Sequence, residues 1–210
     1  MQIEIPYSEI DFSINELDAA IWKNACEVSI ENYWSGKRAA VGRCSKTKIL
    51  WSEAALFVRF EAAQDEPLIV SEIPNLKTKT VGLWNRDVCE IFVAPKLEEP
   101  NRYYEFEIAP NGEWIDLAIS KFTETRETDF EYASEMQSAA RIEANKVLMA
   151  IKIPWKAFGK SPEANEVWKG NLFRCVGSGA TRGYLAWQPT RTEKPNFHVP
   201  EAFGEFHFSK

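Results

Sequence analysis

Between Trp84 and Glu90 the chain sets an indole, an amide, a guanidinium and two carboxylates within seven consecutive residues, Trp84, Asn85, Arg86, Asp87, Val88, Cys89 and Glu90. Such a set can grip a polyol. A sugar ring has apolar C–H faces that stack on an aromatic plate and a rim of hydroxyls that amides and charged groups bond in pairs. Trp187, followed by Gln188 and Pro189 where an apolar run gives way to a polar one, offers a second indole and a second amide. With eight tryptophans in the chain, core burial competes for both, so each is either a stacking plate or a plug at one end of a core. Glu90 is more constrained. Alternation through Val88 to Val93 puts its carboxylate on the face of Val88 and Phe92, where a charge is costly unless it is paired or used. It either meets an internal base, with Arg59, Arg102 and Arg174 available, or opens on a pocket whose ligand donates hydroxyls to it.

The elements that must position these groups read as strands. Thr47–Trp51 and Leu56–Glu61 are joined across Ser52-Glu53 as a hairpin. Val88–Val93, closed by Pro95, has the continuous apolar character of a central strand covered on both faces. Tyr103–Ile108 and Trp114–Ile119 flank Pro110-Asn111-Gly112, a strong short-range hairpin signal. Alternation divides the first of these, with Tyr104, Phe106 and Ile108 on a core face and Tyr103, Glu105 and Glu107 on a face that is wet or functional. Further strands are expected at 139–143, 147–153, 171–177, 184–187 and 203–208, with a helical turn at Trp155–Phe158 after Pro154 and a short helix near 16–26. No long helical period occurs. The expected fold is all-β, an antiparallel two-sheet sandwich with jelly-roll-like connections and short peripheral helices.

The 210 residues suit one domain of this kind, with residues 1–45 as an entry segment packed on it. Hydrophobic residues at 45% and charged residues at 27% supply an ordinary core and surface. A net charge of −6 without a basic stripe argues against nucleic acid. The N-terminal residues lack a signal-peptide pattern and no apolar run is long enough to span a membrane, so a cytoplasmic placement is expected, or secretion where a leader precedes the sequence. Cys26, Cys44, Cys89 and Cys175 form no CxxC pair and are expected as four buried, reduced thiols.

Several segments in order carry a resemblance. Ile49-Leu-Trp51 to Leu56-Phe-Val58, Trp84-Asn-Arg-Asp-Val-Cys-Glu90-Ile-Phe-Val93, Tyr104-Glu-Phe-Glu-Ile-Ala-Pro-Asn-Gly112, Ala150-Ile-Lys-Ile-Pro-Trp155, and the ending from Trp187 through Phe197-His198 to Phe203-Gly-Glu-Phe-His-Phe208 together resemble the family 9 carbohydrate-binding modules and their free-standing relatives, which share a DOMON-like β-sandwich superfamily. The resemblance covers the chain from about Ile49 onward. It implies non-catalytic binding of a terminal sugar or short saccharide between two tryptophans, matched here by Trp84 and Trp187, with Glu90 as the acid that hydrogen-bonds the sugar. Asn85 and Gln188 are the flanking amides, and Arg102 is a candidate basic group. Members of the family often hold structural calcium, for which the Gln64-Asp65-Glu66 loop is the oxygen-rich candidate, with no particular metal ligand assigned.

Three other functions compete. A glycoside hydrolase would draw a carboxylate pair from Glu90, Glu105, Glu107 and Asp116, set about 5 to 9.5 Å apart across a cleft. A haem domain would need axial ligands from His198, His207, Met1, Met136 or Met149. A protein-interaction module would use exposed aromatics against a partner.

Overall fold

Alternation at period two is realised as two facing sheets in a computed structural model of the chain, which describes residues 1–122 and 125–210. The strands are β1 (Gln2–Pro6), β2 (Glu27–Ile30), β3 (Asn32–Tyr33), β4 (Ser45–Trp51), β5 (Ala55–Ala63), β6 (Val88–Ala94), β7 (Arg102–Ile108), β8 (Trp114–Phe122), β9 (Thr125–Asp129), β10 (Gln137–Ile142), β11 (Lys146–Pro154), β12 (Val167–Val176), β13 (Gly183–Ala186) and β14 (Gly204–Ser209). Among the described residues, one sheet runs β1-β14-β12-β6-β7-β8-β9, with β13 pairing both β12 and β3, and the other runs β10-β11-β5-β4-β2. Every pairing between these strands is antiparallel except β1 with β14. The helices are short 3-10 turns, among them Ala20–Asn24, Leu83–Asn85 and Trp155–Phe158. The fold is the expected all-β sandwich, and residues 1–45 enter it more deeply than as an attached segment, contributing β1, β2 and β3.

Between the sheets lies the main core, built from alternate residues of facing strands: Ile49, Val58 and Phe60 from one sheet, Cys89, Ile91, Val93, Phe106, Ile108 and Leu172 from the other. Arg174 also points inward. It is 2% exposed and is tolerated because its guanidinium donates to the carbonyls of Cys44 and Ala63 and to Gln64 Oε1.

The opposite face of the larger sheet is not wet. It carries a second buried cluster, with Val88 and Phe92 of β6, Tyr103 of β7, Ile115 and Leu117 of β8 and Phe173 and Cys175 of β12, covered by segments that bring Leu83, Phe197 and Phe203. A strand with both faces covered in this way can be apolar throughout, and all seven residues of β6 are buried. The hairpin at Pro110-Asn111-Gly112 closes with Gly112 N–H donating to the Ala109 carbonyl at 2.9 Å, and Gly112 has φ +87°, a left-handed conformation that glycine adopts without steric cost. Among the described residues no disulfide forms. Cys89 and Cys175 are buried as expected, whereas Cys26 is exposed and Cys44 only half-buried, because Cys26 follows a 3-10 turn at the surface and Cys44 lies between the Val41–Arg43 turn and the start of β4.

Candidate ligand-binding site

Register decides which side chains of the covered face meet. The β6–β7 ladder sets Glu90 opposite Glu107 and Phe92 opposite Glu105, and on the other flank β12 sets Phe173 opposite Glu90. Glu90, Glu105 and Glu107 therefore project from neighbouring positions of two central strands onto one floor. One oxygen from each lies within 4.8 Å of the others, and the three residues are 2%, 3% and 0% exposed. A cavity of about 300 Å³ opens above Glu90 and Glu105, walled by Trp84, Asn85, Arg126, Tyr184, Asn196 and His198, with Phe130 also in its lining.

Burial first, and then the Glu105 charge, push the Glu90 carboxyl up to about 8. Burial raises Glu105; burial, Glu90 and Glu105 together raise Glu107 well above the carboxylate range. The Cys175 thiol, itself held protonated by burial, donates to Glu90 Oε1 at 3.5 Å. His198 is neutral: burial, then Arg126 and Lys121, bring its imidazole down to about 3. Its Nδ1 shares a hydrogen bond of 3.0 Å with the Tyr103 hydroxyl, and its Nε2 stands 3.9 Å from Glu105 Oε2. A floor of this kind offers acceptors to ligand hydroxyls and, where a carboxyl is protonated, a donor as well.

Trp84 is brought to the wall by a turn that other residues hold. Gly82 enters the Leu83–Asn85 turn with φ +85°. Arg182 donates to the carbonyls of Trp84, Arg86 and Gly177, each at 2.7 Å. Asp87 accepts from the amides of Ile69 and Gly177 and from the Gln64 side chain, with Arg182 3.7 Å away. Arg86 turns aside to Glu113 at 2.6 Å. Within Trp84–Glu90, then, Trp84, Asn85 and Glu90 line the cavity, while Arg86 and Asp87 fasten the turn to the sheet.

The other expected groups lie elsewhere. Trp187 is 6% exposed and belongs to the inter-sheet core, stacked near Phe206 at 6.1 Å between centroids. It comes so close to Gly204 that a β-carbon there would stand 2.4 Å from the indole. It packs as a core plug and takes no part in the cavity wall, because it follows Leu185 at a spacing of two and so shares the inward face. Gln188 is absent from the lining too, its backbone bonded to the Asn171 side chain. Arg102 is a surface residue beside Glu99 at 3.4 Å; the guanidinium at the cavity belongs to Arg126 of β9. The bases expected as internal partners of Glu90 are engaged away from it, Arg174 on the inter-sheet side and Arg59 with the Leu17 carbonyl.

Arg126, Tyr184, Asn196 and Glu105 were not singled out as ligand groups by sequence. Only Glu105 had a usable signal, its shared face with Tyr103 and Glu107. The Gln64-Asp65-Glu66 loop does not fit a calcium ion: Gln64 serves Glu66, Asp87 and Arg174, and the Glu66 carboxylate is clasped by Arg43, leaving too few free oxygens for a six- to eight-fold shell. Asp116, considered for a carboxylate pair, points to the opposite face of β8, bonded to Lys79 at 2.6 Å and to the Ser134 amide. His198 and His207 face different surroundings, His207 lying near the surface beside Glu205 and Glu4, and Met136 and Met149 sit in the inter-sheet core.

Fold and cavity together define a two-sheet β-sandwich with a walled cavity on the outer face of its larger sheet. The chain belongs to the family described as carbohydrate family 9 binding domain-like, whose model matches residues 15–210. It is similar over 99% of its length, at 18% identity and a TM-score of 0.77, to 99% of a chain from Bacteroides uniformis named as a candidate carbohydrate-binding protein. It is also similar to a family 9 carbohydrate-binding module of Caldicellulosiruptor kristjanssonii solved with cellotriose, at 16% identity and a TM-score of 0.70 over 100% of this chain and 94% of that one. The same bacterium's module solved with glucose matches at 15% identity and 0.69, over 100% and 96%. A protein of Arthroderma benhamiae named "Extracellular protein" is 25% identical over 176 residues, 77% of each chain.

Proposed function

We propose that the chain binds a small saccharide without covalent chemistry, in the cavity above Glu90 and Glu105. The observation that carries this reading is the composition of that one space, an indole from a turn and carboxyl, amide, guanidinium and imidazole groups from the sheet and its covering segments, all converging on about 300 Å³. That volume is at the small end for ligand pockets and suits a terminal sugar or short saccharide rather than the side of a long polymer. Trp84 supplies the stacking plate, and Phe130, 41% exposed at the cavity, supplies the second apolar surface in place of Trp187. Glu90 and Glu105 meet ring hydroxyls, with Asn85, Asn196 and Arg126 around the rim.

Family membership and the saccharides in the two related bacterial structures support the same reading. Binding is favoured over hydrolysis because Glu90, Glu105 and Glu107 share one floor, whereas a glycosidase needs its two carboxyls on opposite sides of the scissile bond. Titration calorimetry against a broad panel of mono- and oligosaccharides tests it. Saturable binding is expected, weakened at least tenfold by Trp84→Ala, about 1.4 kcal/mol, and weakened also by Glu90→Gln. Absence of binding to every glycan by folded wild-type protein would overturn it.

A further inference from the structure

We propose that the floor formed by Glu90, Glu105 and Glu107 is a site for one hard divalent cation of the calcium or manganese kind. The three ligand oxygens, all within 4.8 Å of one another, span about twice the 2.1 to 2.6 Å of a bond between such an ion and oxygen, so a single ion between them reaches all three. The second observation is at Glu107. Its residue is 0% exposed, and among the described residues no N–H group or hydroxyl donates to either of its carboxyl oxygens, or to Oε2 of Glu105; the one hydrogen bond left to the pair is a proton shared between the Glu105 and Glu107 carboxyls. Buried polar atoms are ordinarily satisfied, and a buried carboxyl without a base or donor beside it holds its proton until an ion displaces it. The nearby bases do not hydrogen-bond Glu107, although Arg126 at the cavity acts on the Glu105 carboxyl through its charge. Arg182 is spent on three carbonyls, Arg174 faces the other side of the sheet, and His198 is held by Tyr103.

Carboxylate oxygen is a hard donor, which selects calcium, manganese or magnesium over soft metals, and an all-carboxylate set that can bind through one or two oxygens each suits the larger, less demanding ions of that group. The cavity above Glu90 and Glu105 provides the route in and room for water or ligand oxygens to complete the shell. This site is separate from the Gln64-Asp65-Glu66 loop; it shares Glu90 and Glu105 with the saccharide reading and adds Glu107, which lies outside the cavity wall.

Chelator-treated protein titrated calorimetrically with CaCl2 and with MnCl2, the latter followed also by electron paramagnetic resonance, decides the matter. One ion per chain is expected, with an accompanying rise in thermal midpoint. Glu107→Gln keeps the side chain's shape and introduces no charge, so it should fold, while removing the group's ability to release a proton and meet the ion as a carboxylate. It is expected to weaken both ions by at least about tenfold and to abolish the thermal increment; Glu105→Gln serves as a second variant. No binding of either ion at about 1 mM, or equal binding by wild type and Glu107→Gln, would overturn the proposal, the first result leaving a proton shared within the cluster and the second a surface site. Because Glu107 is not part of the cavity wall, a parallel saccharide titration separates failure of the ion site from failure of the sugar site.

Discussion

At the scale of single residues, two side chains that stood next to polar segments in the sequence have opposite fates. Trp84 sits on a turn over the outer sheet face and lines the cavity, whereas Trp187 lies between the sheets against Phe206 and Gly204. Trp187→Ala should therefore cost about 3 to 5 kcal/mol in urea unfolding, the usual range for emptying a tryptophan-sized core site. Under conditions where the variant remains folded, its saccharide affinity should stay within about threefold of wild type, a change of less than 0.7 kcal/mol; a selective loss of affinity at unchanged stability would return Trp187 to the site.

His198 carries a pH dependence of definite sign. Its folded-state imidazole is depressed to about 3 by burial and the nearby Arg126 and Lys121, while an unfolded imidazole titrates near ~6.5. The unfolded chain thus takes the proton first, so the stability tied to neutral His198 is present above about pH 6.5 and is lost progressively as pH falls toward 3. Urea unfolding of wild type and His198→Gln at several pH values should show the wild type losing stability relative to the variant across that window. Parallel curves would refute the assignment.

Among the elements, the Leu83–Asn85 turn depends on residues that never touch the cavity. Asp87 gathers the Ile69 and Gly177 amides and the Gln64 amide group, and Arg182 ties the turn's carbonyls to the β12–β13 connection. Asp87→Asn removes a charged acceptor from this knot and should cost about 2 kcal/mol of stability. The same change should lower saccharide affinity by letting Trp84 drift from the wall. Calorimetry and urea unfolding on the one variant read both effects, and unchanged affinity with reduced stability would show that the turn holds without it.

Strands with regular alternation were legible from sequence, as were the hairpin at Gly112 and the central, doubly covered β6. The strand β9 was not, since Thr-Arg-Glu-Thr-Asp has no apolar alternation at the edge of the sheet, and Arg126 was hidden with it. β1 to β3 were missed because they are short and draw their pairing from partners far along the chain: β14, β4 and β13.

Over the whole molecule, what the sequence left open is largely what only register and long-range closure decide. The face carrying Tyr103, Glu105 and Glu107 could be read from β7 alone, but whether it was wet or functional depended on the β6 pairing that places Glu90 opposite Glu107, and on residues after 187 folding back to bring Asn196, Phe197 and His198 over the sheet. Trp187 had a local signal after all. In Tyr184-Leu185-Ala186-Trp187 the indole follows the parity of Leu185, and strand alternation outweighs the polar character of the residues that come next.

The doubly covered larger sheet has a consequence for how such a molecule can diversify. The carboxyl floor is anchored in central strands, where a change at Glu107 or Phe173 is felt by the packing on every side. Asn85, Phe130 and Asn196 come from connecting segments and tolerate exchange without altering any strand pairing. The walls of the cavity and the foldedness of the sheet thus reside in different parts of the chain, so that a lineage can edit the walls while inheriting the floor intact.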